Sequence, residues 1–143
     1  MRIQGKRFII YCMALLMSCM VFVVGSDTAD AMSLSDLQGT YRVVNTNKVG
    51  FFSDDGYGLL VKLEMSGDEL VGIAQNSVHN FNKGDKVITD VWVDAGTIHC
   101  SVLYSWSFGG SHKSIMRVYD NGSKLELVQE GDNPLGWALK RVN

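Results

Sequence analysis

Three histidines and two pairs of adjacent carboxylates are the residues whose chemistry could support catalysis or metal binding. His79, His99 and His112 stand on different predicted elements, without the paired spacing of a zinc site. The carboxylate pairs at residues 54–55 and 68–69 lie in predicted turns, where aspartate is favoured because it bonds the local backbone. No motif brings a base, a nucleophile and a metal within reach of one another. We therefore expect a non-enzymatic protein with no metal site and no cofactor.

Aromatic side chains are the enriched group with binding potential. The predicted strand at residues 97–108 alternates apolar and polar side chains, and Tyr104 and Trp106 share its apolar face. Small-ligand pockets are mostly apolar and aromatic, so we expect a ligand site lined by Tyr41, Tyr104, Trp106 and Trp137. Core filling stays open as the alternative, because a small barrel can be filled by its own side chains.

Phe51 and Phe52 form a second candidate surface, within a segment rich in Asn, Gly, Asp and Ser at residues 45–58. Neighbouring residues of an extended chain point to opposite faces, so both rings cannot enter one core. An exposed aromatic in a loop suits a protein contact. Phe51 and Phe52 are therefore the predicted partner-binding residues, and a small apolar cluster beneath the loop is the alternative.

The first 31 residues have the three-part pattern of an export signal. Basic residues lie within the first seven positions, residues 8–24 are mostly apolar, and a polar stretch ends in Ala29-Asp30-Ala31. Cleavage after Ala31 is predicted, which divides the chain into a signal peptide at residues 1–31 and a single domain at residues 32–143. Two alternatives remain: a lipid on Cys19, and an uncleaved membrane anchor.

Charge and cysteine content limit the classes of function. The sequence has 13 basic and 15 acidic residues; three basic and two acidic ones lie in the predicted signal, which leaves 10 against 13. A domain without a basic surplus has no electrostatic footprint for nucleic acid. Only Cys100 remains after cleavage, so no internal disulfide can form. The composition suits a bacterial envelope protein, periplasmic or secreted, with no membrane span after cleavage.

About eight strands are predicted in the domain, separated by short turns. Strand-like stretches cover residues 41–44, 59–65, 69–75, 86–93, 97–108, 114–119, 124–129 and 136–142. Turn signals such as Asn121-Gly122 separate them. Because short connections make sequential strands antiparallel neighbours, and closure removes exposed edges, the predicted fold is an all-β, eight-stranded antiparallel up-and-down barrel. A two-sheet β-sandwich is the alternative.

The start of the predicted domain resembles the opening of lipocalins. A short helical turn at residues 34–37 precedes Gly39-Thr40-Tyr41, similar to the Gly-x-aromatic opening with Tyr41 in the aromatic place. The resemblance implies a lipocalin-like barrel whose closed end is packed by this aromatic, beneath an arginine from the end of the chain, and Arg141 is similarly placed. The late Trp137 is similar to avidin-like barrels, but their polar biotin-holding positions are not matched, so biotin binding is not implied.

These observations favour an exported, non-enzymatic β-barrel that binds a small hydrophobic molecule, one at least partly apolar, in its interior. The first alternative is an envelope protein-binding module, such as an inhibitor or accessory subunit, acting through Phe51, Phe52 and the loops near Phe81 and His112. The third hypothesis is an enzyme, a hydrolase or isomerase that uses the barrel as its scaffold.

Overall fold

The structure, a computed structural model, describes residues 21–23, 31–46, 56–104, 110–131 and 136–142. Within them the strands are β1 (Val21–Val23), β2 (Ala31–Ser33), β3 (Gly39–Thr46), β4 (Leu60–Ser66), β5 (Glu69–Ala74), β6 (Lys86–Asp94), β7 (Thr97–Val102), β8 (His112–Tyr119), β9 (Lys124–Gln129) and β10 (Gly136–Arg141). A short 3-10 helix lies at Leu34–Leu37, and Asp120–Gly122 forms a turn. No helix in this part of the chain is long and apolar enough to cross a membrane.

Strands β3 to β10 form a closed, eight-stranded antiparallel barrel. Sequential strands are neighbours, and β10 pairs with β3 to close the sheet, with Arg141 opposite Tyr41 and Trp137 opposite Thr46. The predicted fold class is therefore confirmed, and the sandwich alternative is wrong. Closure gives all eight strands two neighbours, so the sheet presents no free edge.

Tight turns connect the hairpins at one end of the barrel, as the turn signals predicted. Gly67 and Asp68 join β4 to β5, and Ala95 and Gly96 join β6 to β7 with φ values of 48° and 79°. Two positive φ values are what a type I′ turn requires, and its twist matches that of the flanking strands. Asp120–Gly122, also with positive φ throughout, leads from β8 into β9.

The two ends of the barrel differ in the length of their connections. At the short-turn end lie the three tight turns and the 3-10 helix Leu34–Leu37. At the other end, called here the long-loop end, β3, β5, β7 and β9 finish and at least six residues separate each from the next strand. The strand ends that flank residues 47–55, 105–109 and 132–135 all belong to the long-loop end.

Apolar side chains from every barrel strand point inward and form one core. Side chains from the connections join them, and the largest fully buried side chains are Trp137, Tyr41, Tyr104, Phe81, Leu37, Leu59, Leu63, Leu70, Ile88, Leu125, Leu127 and Leu139. On β7, Ile98, Cys100 and Val102 are buried in strict alternation, as predicted. Strand β7 ends at Val102, and its pairing with β8 ends at the Val102–His112 pair, where β8 begins. The predicted strand at residues 97–108 is therefore too long at residues 103–104, and its residues 105–108 lie outside the described chain.

The short sheet of β1 and β2 stands outside the barrel. Val21 pairs with Ser33, Phe22 with Met32 and Val23 with Ala31. The predicted cleavage after Ala31 would remove β1 and the first residue of β2. Both the export signal and the domain boundary stay predictions.

Candidate functional site

An aromatic cluster at the long-loop end is the strongest candidate site among the described residues. Trp137 is the second residue of β10, Tyr104 follows the end of β7, and Phe81 comes from the connection between β5 and β6. The Trp137 ring centroid lies 5.0 Å from that of Tyr104 and 5.6 Å from that of Phe81. Interplanar angles of 79° and 70° make both contacts edge-to-face, the geometry that the ring quadrupoles favour.

Trp137 carries an unsatisfied donor inside this cluster. Its side chain is only 1% exposed, and its indole Nε1 is the one fully buried side-chain nitrogen or oxygen of the described residues without a hydrogen-bond partner. Gly56 packs directly on the ring, since a Cβ at that position would stand 2.9 Å from the indole. Buried indole N–H groups normally find a partner, so this one marks a place where an acceptor is missing.

A short polar chain lies beside the cluster. The Tyr104 hydroxyl and Ser114 Oγ are 2.9 Å apart, and Ser114 Oγ donates to the carbonyl oxygen of His112 at 3.2 Å. His112 Nδ1 lies 3.0 Å from Gln129 Nε2. Burial raises the pKa of Tyr104, and the Ser114 hydrogen bond only partly offsets this effect. Tyr104 is therefore neutral at physiological pH and offers a hydroxyl, not a phenolate.

Tyr41, the fourth predicted ligand residue, lies at the opposite end of the barrel. It is paired with Arg141 across β3 and β10, whereas Trp137 pairs with Thr46. Five residues along β3 correspond to roughly 17 Å at about 3.3 Å per residue. Tyr104 and Trp137 are thus brought together and Tyr41 is not. The Arg141 guanidinium lies 5.1 Å from the Tyr41 ring centroid, the arrangement that the lipocalin resemblance implied.

The remaining predicted site residues fall outside the described chain. Trp106 follows Tyr104 by two positions, and Phe51 and Phe52 precede Gly56, so their roles stay predictions. Phe81, which the sequence placed in a loop facing a partner, is 2% exposed and belongs to the core. The sequence analysis did not assign Phe81 to the site because this residue stands in a polar loop without periodicity. Gly56 was also missed, because a glycine has no side chain that could indicate a contact with an aromatic ring.

The three histidines lie on separate parts of the described chain. No group of three or more His, Cys, Asp or Glu side chains suited to a metal occurs within the part of the chain that the structure describes. His79 is exposed in the β5–β6 connection, and His99 lies on the outer wall. Cys100 is buried, and desolvation, with a further contribution from the charge of Glu130, raises the pKa of its thiol to about 12. This thiol behaves as a small apolar core group.

These features define a class of protein: a small, closed, eight-stranded antiparallel barrel with an aromatic cluster at its long-loop end. The architecture is compatible with a lipocalin-like barrel. No protein-family model, curated protein or solved structure matches the chain.

Proposed function

We propose that the protein is an exported, non-enzymatic barrel that binds a small, partly apolar molecule at its long-loop end. Trp137 Nε1 donates a hydrogen bond to an acceptor atom of the ligand, and Tyr104 and Phe81 contact its apolar part. The observation that carries this proposal is the unpaired, buried indole N–H within the aromatic cluster.

The energetic argument rests on the cost of leaving that donor without an acceptor. A buried donor with no partner costs about 1–3 kcal/mol relative to one that is satisfied. An acceptor supplied by a ligand recovers this energy. The indole N–H is already held in place in the unliganded barrel, so binding does not have to order it. This lowers the entropic cost of association.

Charge limits the kind of acceptor that fits. Phe81, Tyr104 and Gly56, which contact the Trp137 ring, carry no charge. A buried carboxylate without a cationic partner is expensive to desolvate. We therefore assign the acceptor to a neutral oxygen, such as that of a carbonyl or ether, on an otherwise apolar molecule.

Native mass spectrometry of the protein purified gently from the envelope of its own host tests the proposal. The same sample, denatured, serves as reference. A discrete extra mass of a small molecule that is lost on denaturation is the expected result. A bare protein mass would contradict the proposal, and a mass equal to this chain plus another protein would favour the protein-binding role predicted for Phe51 and Phe52.

A matched pair of tryptophan variants locates the ligand. Trp137→Phe keeps an aromatic ring in the cluster but removes the N–H, so the dissociation constant of the ligand should rise about tenfold, the effect of one lost hydrogen bond, and the ligand-bound fraction in the native spectrum should fall. Trp92→Phe makes the same change at a half-exposed ring on the outer wall and should leave the fraction unchanged. Equal occupancy in both variants would place the ligand elsewhere.

A further inference from the structure

An exposed aromatic stack stands on the outer wall of the barrel, away from the aromatic cluster. Trp92 on β6 and His99 on β7 are directly opposite each other in the antiparallel ladder. Their rings are stacked, with centroids 4.2 Å apart and an interplanar angle of 15°. Trp92 is nevertheless 49% exposed. A large, rigid aromatic side chain is thus held in place while much of its surface remains open to solvent.

A β-bulge in β6 sets the position of this tryptophan. The β6–β7 register shifts between Thr89 and Trp92, and Asp90 within the bulge has a φ of 52°. The Asp90 N–H donates to Glu69 Oε1 at 2.9 Å, which fixes the bulge from the neighbouring strand β5. A non-glycine residue with positive φ is unfavourable backbone, and bulges commonly re-aim a side chain next to a functional site. Val91 stays buried and Trp92 points outward because the bulge adds one residue.

The stack borders an open depression of about 390 Å³ in the outer wall. This volume lies within the range of roughly 300–1,000 Å³ that is usual for small-ligand sites. We call it the outer-wall site. The exposed or half-exposed side chains that line it are Asp90, Trp92, His99, Ser101, Lys113 and Glu130. His99 Nδ1 lies 3.6 Å from Glu130 Oε1, so the carboxylate stands beside the edge of the stack.

We propose that the outer-wall site binds a neutral saccharide unit. The C–H face of a sugar ring packs on the exposed indole, which offers a flat apolar surface of matching size. Sugar hydroxyls both donate and accept hydrogen bonds, and the site offers acceptor carboxylates at Asp90 and Glu130 together with donors at Lys113 and Ser101.

The balance of charge at the outer-wall site favours a neutral ligand over a charged one. The two carboxylates disfavour an anion, and the ammonium group of Lys113 offsets part of their attraction for a cation in the same depression. A hydroxyl-rich ring without charge can instead use all of these groups as hydrogen-bond partners. Because this site and the Trp137 cluster use different residues, the saccharide proposal stands or falls independently of the interior ligand.

Titration of the full chain with cellohexaose, maltohexaose and chitohexaose, followed by ¹H–¹⁵N NMR, tests the proposal. At least one oligosaccharide should shift the indole Nε1–H resonance of Trp92 in a saturable manner and leave that of Trp137 unmoved. Trp92→Ala should weaken this binding at least tenfold, and Glu130→Gln should weaken it several-fold. Both residues are exposed, so the variants should keep the melting temperature of the parent.

Val44→Ala provides the matched control, because Val44 is an exposed apolar residue of β3 outside the depression. It should bind the same oligosaccharide with unchanged affinity. The proposal is overturned if none of the three sugars shifts the Trp92 resonance, or if Trp92→Ala binds as tightly as the parent protein does.

Discussion

At the scale of single residues, the hydroxyl of Tyr41 organises the short-turn end. It lies 2.9 Å from the carbonyl oxygen of Leu37 and 3.0 Å from that of Gly122, to one of which it donates at a time. It accepts from Arg141 Nη2 at 2.5 Å and Nε at 3.2 Å. One buried oxygen therefore connects the 3-10 helix, the β8–β9 turn and the last strand.

Removing this hydroxyl should weaken the closed end. In Tyr41→Phe the buried carbonyl groups and the guanidinium lose a shared partner, so the free energy of unfolding should fall by about 1–3 kcal/mol. Urea denaturation at pH 7 measures the change. Tyr57→Phe is the matched control, because Tyr57 is 59% exposed and should change stability by less than about 0.5 kcal/mol. Equal values for the two variants would contradict the assigned role.

The Cys100 thiol predicts a pH dependence of stability. Burial raises its pKa from the ordinary 9.0 to about 12, so between these values the unfolded chain loses a proton that the folded protein keeps. The contribution is fully present below pH 9 and is lost as pH rises toward 12, by about 1.4 kcal/mol per pH unit. Burial raises the pKa of Tyr41 and Tyr104 as well, which adds a loss of the same sign above pH 10.

A comparison with Cys100→Ala isolates the thiol. Both proteins keep the two buried tyrosines, so only the parent should show the additional loss that begins at pH 9. The free energy of unfolding is measured by urea denaturation at pH 7, 8, 9, 10 and 10.5 for both proteins. Relative to Cys100→Ala, the parent protein should lose up to about 2 kcal/mol between pH 9 and pH 10.5. Curves that remain parallel from pH 8 to 10.5 would contradict the burial argument.

At the scale of elements, alternation of side chains identified the inward faces, while pairing partners set where each strand ends. Leu59, Val61 and Leu63 are buried as the pattern around β4 predicted. The alternation at residues 97–108 predicted a strand that extends past Val102, where the ladder with β8 ends and the next two described residues are not in a strand. Alternation is a local property of the chain, whereas a ladder requires a second strand at the same height in the barrel.

The β5–β6 contact depends on a glycine. A Cβ on Gly72 would lie 2.8 Å from the Cβ of Ile88, which is opposite it in the ladder, and 3.0 Å from Val61 Cγ1. Gly72→Ala should therefore overpack the core and lower the free energy of unfolding by about 1–3 kcal/mol. Gly67→Asn, at an open turn with φ of 65°, is the control, since asparagine tolerates this conformation. If Gly72→Ala is as stable as the control, the core can accommodate the added methyl group without a loss of unfolding free energy, which would contradict this prediction.

At the scale of the whole molecule, pairing between β3 and β10 closes the barrel without β1. Strand β1 pairs with β2 alone, outside the closed sheet. We expect residues 32–143, expressed without the predicted signal, to fold with the melting temperature and circular dichroism of the protein purified from its own host. Residues 32–135 should aggregate, because the loss of β10 exposes the edges of β3 and β9. A soluble, cooperative shorter chain would contradict the importance of closure.

Export itself can be checked on the same protein. N-terminal sequencing of the chain recovered from the host envelope should begin at Met32, the residue after the predicted Ala29-Asp30-Ala31 site. Lipid on Cys19 would instead add an acyl mass to a chain that begins at that cysteine. A full-length chain found only in the cytoplasm would contradict the export prediction.

The sequence by itself determined the fold class, the inward faces of most strands and two members of the candidate site, Tyr104 and Trp137. These follow from local chemistry: period-two alternation, glycine- and asparagine-containing turns, and aromatic enrichment. Tertiary structure alone decided that Tyr41 lies at the opposite end, that Phe81 and Gly56 enclose the indole, and that Trp92 stacks on His99. Each depends on strand register and barrel closure, which place residues distant in sequence at one height along the axis.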